Sequence, residues 1–499
     1  MAGSMIHTSK GNYGGRFTLY VLFACIIGAS GGLLFGYDIG ISGGVTSMDE
    51  FLLEFFPSVY EHKHTARETD YCKYDSQILQ FFSSSLYIAG LISGFASSYL
   101  ASKYGRKRSM LFGGITFFIG GILNGAAQNI AMLIIGRILL GVGVGCATQT
   151  VPMYLSEMAP SQWRGGLNIA FQFLITLGIV IANMINYATS KMSKDGWRIS
   201  LGLASVPAII VILGGIFCPE TPNSLIERNL KEEGKNILRK IRGVENINEE
   251  YEDIIEATNL ANQVTNPYKT LFSKKYRPQL ILSILIPLFQ QLSGINVVMF
   301  YAPVLFNTIG FGADASLYSA VIVGVVNILS TIVSIVLVDK LGRRALFLEG
   351  GVQMIICQIF IAWILGTQFG GDMVLSKAYG TGVLVLVCFF VAGFAWSWGP
   401  LGWLVPSEIL PMEVRSAGQA IVVSVNLLLT FIIGQVFLTI LCSFKYGAFI
   451  FFGVWEIIAT LFIYFFVPET KGVSIEKMVS IWEDHWFWKR MVRNSNGIL

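Results

Sequence analysis

Apolar segments of about twenty residues alternate with polar stretches along this chain from Phe17 to Val467. A helix of about that length crosses the hydrocarbon core of a bilayer. Strands of an outer-membrane barrel would alternate polar and apolar residues, whereas runs such as Leu280 to Leu288 do not. We therefore predict an all-α membrane protein whose transmembrane helices lie at 18–44, 77–101, 108–127, 131–156, 166–188, 198–218, 279–307, 316–338, 346–367, 380–405, 416–441 and 447–467.

The polar stretches divide these helices into two groups of six. The stretch 223–277 is rich in Glu and Lys, and its spaced apolar residues favour short amphipathic helices. The stretch after the first helix is long enough to form a small outer cap. The predicted organisation is an N-terminal segment (1–17), a six-helix half (18–222) with a cap loop (45–76), a helical linker (223–277), a second six-helix half (278–468) and a tail (469–499).

Three short motifs of the first half recur in the second half, in the same order and at corresponding loops. The pairs are Gly105-Arg106-Lys107 with Gly342-Arg343-Arg344, Ser156-Glu157-x-x-Pro160-x-x-x-Arg164 with Ser407-Glu408-x-x-Pro411-x-x-x-Arg415, and Pro219-Glu220-Thr221 with Pro468-Glu469-Thr470. Three ordered matches imply a duplication. Transporters use a parallel repeat of six helices plus six for rocking around a central site.

Composition and charge narrow the class further. The 499 residues are 54% hydrophobic and 13% charged, which excludes an ordinary water-soluble protein. Most basic clusters between helices fall on one side, and the positive-inside rule makes that side cytoplasmic together with both termini. The net charge of +4 therefore follows topology and does not indicate nucleic acid. Zinc-ligand spacing, a nucleotide loop and a catalytic-triad pattern are all missing from the sequence, so we expect no metal, no cofactor and no enzyme.

Two charged residues lie inside apolar segments at a similar predicted depth, Asp38 in the first helix and Arg137 in the fourth. An intramembrane acid is costly unless it is paired, hydrated or protonated, so Asp38 is a functional candidate. A neighbouring guanidinium favours the carboxylate, and burial without it favours the neutral acid. Separating the two could therefore switch Asp38 between proton release and proton capture. A static ion pair between helices is the alternative.

The repeated loops place charged residues at the cytoplasmic membrane edge, where we expect them to pair across the two halves and form a gate. Simple topogenic charge is the alternative for the basic members, but it does not explain the duplicated glutamates. The gate candidates are Arg106, Glu157, Arg164, Glu220, Arg343, Arg344, Glu408, Arg415 and Glu469.

Uncharged amides inside helices are candidate ligands for a polyhydroxylated substrate, because an amide both donates and accepts hydrogen bonds. They are Gln172, Gln290, Gln291, Asn296, Asn327 and Asn426. Phe35 and Trp403 could cover an apolar face of such a substrate. Gln291 and Asn296 would lie about 140° apart on one helix, so a break near Ser293 and Gly294 would help them converge. Polar contacts that join helices are the alternative for any single amide.

These motifs resemble the sugar porter branch of the major facilitator superfamily over nearly the whole chain. The stretches 222–228, 290–303 and 467–472 are similar to the plant sugar transport proteins. The resemblance implies a plasma-membrane importer that carries monosaccharides such as glucose or galactose together with protons, by alternating access. It assigns Asp38 and Arg137 to proton coupling, the amides to sugar binding, and the charged loops to a latch on the inner gate. It also implies a flexible tenth helix at Gly399, Pro400 and Gly402, with Gly399 in the sugar site.

Two alternatives remain, a passive sugar uniporter and a transporter-like sugar receptor. A uniporter has no need for Asp38, and sensors usually have long signalling tails. The preferred sugar and the oligomeric state stay open.

Cysteines suggest one covalent link. Five of the seven lie within helices or at inner edges, whereas Cys72 and Cys442 face the outer space in the predicted topology. Disulfides form in an oxidising compartment, so we predict a Cys72–Cys442 bond that ties the cap loop to the second half. Two free thiols are the alternative.

Overall fold

A computed structural model describes residues 18–65, 76–160, 163–192, 195–308, 311–368, 376–471 and 478–493. Secondary structure within these ranges is entirely helical, which confirms the predicted fold class. The N-terminal helices are α1 (Leu19–Ala29), α2 (Gly31–Val45), α3 (Asp49–Phe55), α4 (Pro57–Thr65), α5 (Gln77–Tyr104), α6 (Arg106–Gly125), α7 (Ile130–Met158), α8 (Arg164–Thr189), α9 (Gly196–Gly202) and α10 (Ser205–Phe217).

Short helices connect this group to the next one. They are α11 (Pro222–Glu227), α12 (Lys231–Arg242), α13 (Asn248–Asn262), α14 (Pro267–Leu271) and a 3-10 turn (Lys274–Tyr276). The C-terminal helices are α15 (Arg277–Leu292), α16 (Ile295–Thr308), α17 (Ala313–Leu341), α18 (Arg343–Gln368), α19 (Lys377–Trp396), α20 (Trp398–Ile409), α21 (Arg415–Phe444) and α22 (Gly447–Phe466). Two short helices follow, α23 (Met478–Asp484) and α24 (Lys489–Arg493).

Eleven helical stretches in the described ranges are long and apolar enough to cross a membrane. The predicted third span corresponds to α6, which is less apolar because it begins with three basic residues and is rich in glycine. Four of the eleven stretches combine two successive helices, namely α1 with α2, α9 with α10, α15 with α16 and α19 with α20.

Glycines in α7 let this helix pack closely between α5 and α6. A Cβ atom on Gly141 would lie 2.1 Å from the Leu86 carbonyl oxygen of α5, and one on Gly143 would lie 2.7 Å from the Gly113 carbonyl oxygen of α6. Any side chain there would push the helices apart. The close packing positions Arg137, one turn earlier on α7, deep inside the N-terminal helices.

Two breaks interrupt C-terminal helices at membrane depth. The first separates α15 from α16 at Ser293 and Gly294, where Gly294 has φ +84°, and it confirms the predicted break. The second separates α19 from α20 at Ser397, which has φ −124° and ψ −94°, three residues before Pro400. Backbone carbonyl groups freed at a break are available to side chains, and such breaks occur where a membrane protein lines a site.

Neutral polar groups join the N-terminal to the C-terminal helices along α5 and α21. Ser84 Oγ donates to Gln435 Oε1 at 2.9 Å, and the Ser98 and Ser416 hydroxyl groups lie 2.6 Å apart near the opposite ends of the two helices. Elsewhere Asn183 of α8 donates to the Ala320 carbonyl oxygen of α17 at 3.3 Å. The two groups of helices are therefore in contact along their length.

We call the end of the bundle that carries Arg106, Arg108, Arg343 and Arg344 the basic face. The linker helices pack there, since Arg242 of α12 donates to the Met158 carbonyl oxygen at 3.0 Å. Helices α3 and α4 lie on the opposite side, within the predicted cap loop.

Candidate functional site

Asp38 and Arg137 form a fully buried ion pair between α2 and α7. Arg137 Nη1 donates to Asp38 Oδ1, and the two side chains expose 1% and 0% of their surface. Arg137 Nη2 also donates to Ser42 Oγ at 3.0 Å, and Ser42 Oγ donates to the Asp38 carbonyl oxygen at 2.8 Å. Among the described residues Asp38 Oδ2 has no hydrogen-bond partner. The carboxyl group thus keeps one free oxygen.

Aromatic rings cover this pair on the side of the cap helices. The guanidinium carbon of Arg137 lies 4.3 Å from the centroid of the Phe82 ring, a cation–π contact. Phe82 packs against Phe51 of α3, with ring centroids 5.2 Å apart, and Phe51 packs against Trp197 at 5.6 Å. The cap helices therefore seal the ion pair from that side, and exclusion of water keeps its electrostatic interaction strong.

Gln290 connects α15 to the break between α19 and α20. Its Nε2 donates to the carbonyl oxygens of Trp398 at 2.9 Å and Gly399 at 3.0 Å, and its Oε1 accepts from Asn426 Nδ2 at 2.8 Å. A Cβ atom on Gly402 would lie 2.3 Å from Gln290 Nε2, so a glycine is needed at that position. Both the amide nitrogen and the amide oxygen of Gln290 therefore already bond to other groups of the protein.

Gln291 and Asn296 meet across the break between α15 and α16. Asn296 Nδ2 donates to Gln291 Oε1 and also to Thr430 Oγ1 at 3.3 Å, while Thr430 Oγ1 donates to the Asn426 carbonyl oxygen at 2.8 Å. Gln291 Nε2 and Asn296 Oδ1 have no hydrogen-bond partner in the described part of the chain. These two groups, one donor and one acceptor, are available to a ligand.

The remaining candidates surround this network without joining its hydrogen bonds. Trp403 is 4% exposed and packs edge-on against Phe171, with ring centroids 5.8 Å apart. The Phe35 and Tyr87 rings pack edge-on with centroids 6.3 Å apart, and Asn327 Nδ2 lies 3.5 Å from Met299 Sδ. Gln172 is buried, and its side chain makes no hydrogen bond to another described residue. The structure thus connects Gln290, Gln291, Asn296 and Asn426 and leaves Phe35, Gln172 and Asn327 outside the network.

A carboxylate cluster holds the start of α6 at the basic face. Arg106 Nη2 donates to Glu157 Oε1 at 2.9 Å, and Arg106 Nη1 donates to Glu227 Oε2 at 2.7 Å. Glu220 accepts from the backbone nitrogen of Arg106 at 3.0 Å, where a negative charge also suits the positive end of the helix dipole. Thr221 Oγ1 donates to Glu157 Oε2 at 2.5 Å.

The same cluster recurs at the start of α18. Arg343 Nη2 donates to Glu408 Oε1 at 2.7 Å. Glu469 accepts from the backbone nitrogens of Arg343 at 2.9 Å and Arg344 at 3.0 Å, and Thr470 Oγ1 donates to Glu408 Oε2 at 2.8 Å. The duplicated sequence motifs therefore build duplicated contacts.

Two of the gate arginines form salt bridges within their own half, where we expected pairs across the halves. Arg106 pairs with Glu157 of the N-terminal helices and Arg343 pairs with Glu408 of the C-terminal helices. The reason is proximity, because the arginine at the start of each helix lies beside the glutamate of its own copy. Arg415 still interacts electrostatically with Glu157 across the halves, and the Arg164 side chain lies outside the described residues.

Sequence reasoning missed five residues of these sites, among them Glu227, which accepts from Arg106. Thr221 and Thr470 are the third residues of the repeated Pro-Glu-Thr motif, so the repeat itself was a signal for them. Ser42 lies one helical turn after Asp38, which is also readable from spacing. Thr430 lies one helical turn after Asn426, and no other feature of the sequence indicates a role for it.

Replacing Gly105 by Ala is expected to destabilise the protein. Gly105 has φ +100°, and a Cβ atom there would lie 2.0 Å from Glu220 Oε2. The strained backbone and the displaced carboxylate should together cost about 1–3 kcal/mol of unfolding free energy. Thermal unfolding of the purified protein measures this, with Gly382→Ala as the matched control, because no atom of the described residues lies within 4 Å of a Cβ atom at Gly382. Equal melting temperatures for the two variants would contradict the expectation.

The cysteines that the structure describes include five unpaired thiols. Cys25, Cys146, Cys218, Cys357 and Cys388 are free thiols. Cys72 lies outside the described residues, so its bond with Cys442 stays a prediction. In the part of the chain that the structure covers, no three His, Cys, Asp or Glu side chains are grouped to hold a metal ion.

Comparison with known proteins defines the class. A family model described as sugar (and other) transporter matches residues 24–482. The chain belongs to this family of multi-pass membrane transporters, so it is a transport protein rather than an enzyme.

Individual relatives agree with this assignment. The chain is similar to sugar transport protein 10 of Arabidopsis thaliana, with 57% identity over 99% of this chain and 97% of that protein. It is also similar to sugar transport protein 7 of Arabidopsis thaliana, with 56% identity over 97% and 95%. Among solved structures, the major facilitator proton:xylose symporter XylE from E. coli, bound to 6-bromo-6-deoxy-D-glucose, matches with a TM-score of 0.81. That match covers 94% of this chain and 100% of XylE at 28% identity, and it confirms the predicted major facilitator fold.

Proposed function

We propose that this protein imports hexoses such as glucose or galactose together with protons, by alternating access. The observation that carries the proposal is a fully buried Asp38–Arg137 pair in a transporter whose C-terminal helices also hold a network of neutral amides. The solved relative XylE is a proton:xylose symporter, which supports the same coupling here.

Asp38 and Arg137 are the coupling residues in this proposal. With Arg137 in contact the carboxylate is favoured, and without it a buried Asp38 would hold a proton. Movement of α2 against α7 would separate the two side chains. Since Asp38 lies at the centre of α2 and Gly43 of the same helix packs against Phe300 of α16, such movement would also reach the helix that carries Asn296.

The sugar site in this proposal is centred on Gln291 and Asn296. Their free donor and acceptor groups match sugar hydroxyl groups, which also donate and accept. Gln290, Asn426 and Gly399 hold the surrounding helices in place, and Gln172, Asn327, Phe35 and Trp403 complete the lining. A sugar whose hydroxyl groups replace the internal bond between Gln291 and Asn296 would draw the two sides of the break together.

We further propose that the basic face is cytoplasmic, that both termini lie on that side and that the protein resides in the plasma membrane. The positive-inside rule supports this orientation, because Lys and Arg concentrate at the basic face. In this orientation the clusters around Glu157 and Glu408 brace the cytoplasmic gate, each within its own half.

Uptake of labelled hexoses in a transport-deficient host at two external pH values tests the function. Accumulation against a concentration gradient that rises at acidic pH and collapses with a protonophore is the expected result. Uptake that only equilibrates, at both pH values, would identify a passive uniporter. Saturable binding without uptake would identify a receptor.

The Cys72–Cys442 bond is part of the proposal, and mass spectrometry of non-reduced peptides tests it. We expect a cross-linked peptide pair from protein purified from an oxidising surface membrane, and we expect reduction or Cys72→Ala to change sugar affinity or pH dependence more than folding. The reason is that the cap helices cover the Asp38–Arg137 pair through Phe51 and Phe82. Alkylation of both cysteines as free thiols would exclude the bond, and Cys388→Ala is the control.

A further inference from the structure

A second carboxylic acid lies near mid-membrane depth, in the C-terminal helices. Glu456 is close to the middle of α22, about 14 Å along the helix from Gly447. Its exposed fraction is 0%, and neither of its carboxyl oxygens has a hydrogen-bond partner in the described ranges. Neither the Asp38–Arg137 pair nor the amide network uses this residue.

The immediate neighbours of Glu456 are neutral. A Cβ atom on Gly351 of α18 would lie 3.4 Å from Glu456 Oε1 and 2.3 Å from Thr460 Oγ1. A Cβ atom on Gly453 of α22 would lie 3.1 Å from Gln358 Oε1. The Thr460 hydroxyl group and Gln358 Oε1 are also buried without a hydrogen-bond partner among the described residues. Among the described residues these neighbours carry no charge, so they supply no cation to a carboxylate.

Charged groups on the neighbouring helices are engaged elsewhere or lie near helix ends. Arg344 of α18 stacks on Tyr464, with its guanidinium carbon 5.4 Å from the ring centroid, two helical turns or about 12 Å along α22 from Glu456. Glu349 of α18 accepts from Trp396 Nε1 at 2.7 Å. The other titratable or charged residues on the elements around α22 are Arg277 on α15, Arg343 and the thiol Cys357 on α18, Arg415 and Cys442 on α21, and Glu483, Asp484, His485, Lys489, Arg490 and Arg493 in the C-terminal segment.

Residues of α18 and α22 next to Glu456 also contact both helix breaks. Gln358 Nε2 donates to the Ser293 carbonyl oxygen at 2.7 Å, and a Cβ atom on Gly294 would lie 2.8 Å from the Phe452 ring. A Cβ atom on Gly350, the neighbour of Gly351, would lie 1.9 Å from Ser397 Oγ at the second break. The contact between α18 and α22 thus supports the backbone that carries Gln291 and Asn296.

We propose that Glu456 is a second proton-binding site of this transporter. An unpaired buried carboxylate is strongly disfavoured, so the group holds its proton while α18 and α22 are packed together. When water enters between these helices, the carboxylic O–H bond breaks, the proton passes to water and a hydrated carboxylate remains. Charging Glu456 then disfavours the packed state behind the two breaks and weakens sugar binding.

Infrared difference spectra of the purified full-length protein in lipid nanodiscs, acidic minus alkaline, test proton binding without any need for transport. We expect a carbonyl band of a protonated carboxylic acid that is lost in E456Q, shifted in E456D and retained in the matched control E349Q. An unchanged band in E456Q would overturn the proposal. So would absolute spectra in which the Glu456 band is the same at every pH, because the group would then be a permanently neutral structural acid.

The link between Glu456 and sugar binding rests on the proposed function. Sugar affinity measured at several pH values tests this link separately from transport. In D38N, which lacks the Asp38 carboxyl, affinity should still fall at alkaline pH, and in the D38N/E456Q double variant that fall should be lost. Identical pH profiles for D38N and D38N/E456Q would overturn the link to sugar binding. Failure of the wild-type protein to accumulate sugar would reject the proposed function and leave the infrared result standing.

Discussion

The Asp38→Asn variant is expected to lose proton-driven sugar accumulation completely. Asn cannot exchange a proton, but its amide oxygen can still accept a hydrogen bond from Arg137, so the buried guanidinium keeps one partner. We therefore expect sugar exchange across the membrane or residual sugar binding to survive. Equilibrium uptake, counterflow and accumulation of labelled hexose in reconstituted vesicles with an imposed pH gradient measure the three quantities separately.

Asp195→Asn is the matched control for Asp38→Asn. Asp195 also pairs with an arginine, Arg198, at 2.9 Å, but its side chain is 66% exposed. Its backbone is left-handed, with φ +59°, a conformation that Asn tolerates well. An exposed pair contributes little, so accumulation in this variant should match the wild type. Wild-type accumulation in Asp38→Asn itself, at normal expression, would remove Asp38 from the coupling mechanism.

Replacing Gln291 or Asn296 by Ala is expected to weaken sugar binding by about 1–3 kcal/mol per lost hydrogen-bond partner, or roughly 5- to 150-fold in affinity. These two residues are the better test than Gln290, because Gln290 bonds to Trp398, Gly399 and Asn426 and its loss would also release α20. Equilibrium binding of labelled glucose to purified protein measures the change.

Gln353→Ala serves as the control for both amide variants. Gln353 lies on α18 and donates to the Phe389 carbonyl oxygen at 2.8 Å at an exposed position, away from the network. Its loss should leave affinity unchanged. If Gln291→Ala and Asn296→Ala also bind with wild-type affinity, the two amides join helices and do not contact sugar.

Local sequence patterns were sufficient for the helices and for one of the breaks. Hydropathy located the spans because the bilayer imposes both length and polarity on them, and Gly294 marked the break that brings Gln291 to Asn296. The second break was less readable. Gly399, Pro400 and Gly402 predicted flexibility within α20. The backbone instead departs from helical geometry at Ser397, which packs against Gly350 of α18.

Partner choice could not be read from the sequence. Duplication provides two copies of each charged residue, and the pattern alone does not say whether Arg106 meets Glu157 or Glu408. In the structure Arg106 bonds to Glu157 and Arg343 bonds to Glu408, because each arginine begins a helix beside the glutamate of the same half. Glu456 is readable as a single acid in an apolar helix, but no basic residue at a matching depth suggests a partner for it.

Contacts between the two groups of helices have a consequence for the speed of the transport cycle. Hydroxyl, amide and backbone groups make the described hydrogen bonds between α5 and α21, such as those of Ser84 with Gln435 and Ser98 with Ser416. Each neutral bond is worth only about 0.5–1.5 kcal/mol net, because water replaces it when the interface opens. Two largely buried salt bridges, Arg106–Glu157 and Arg343–Glu408, each lie within a single group of helices. Opening the α5–α21 interface should therefore cost little free energy, and reorientation of the two groups of helices should be fast.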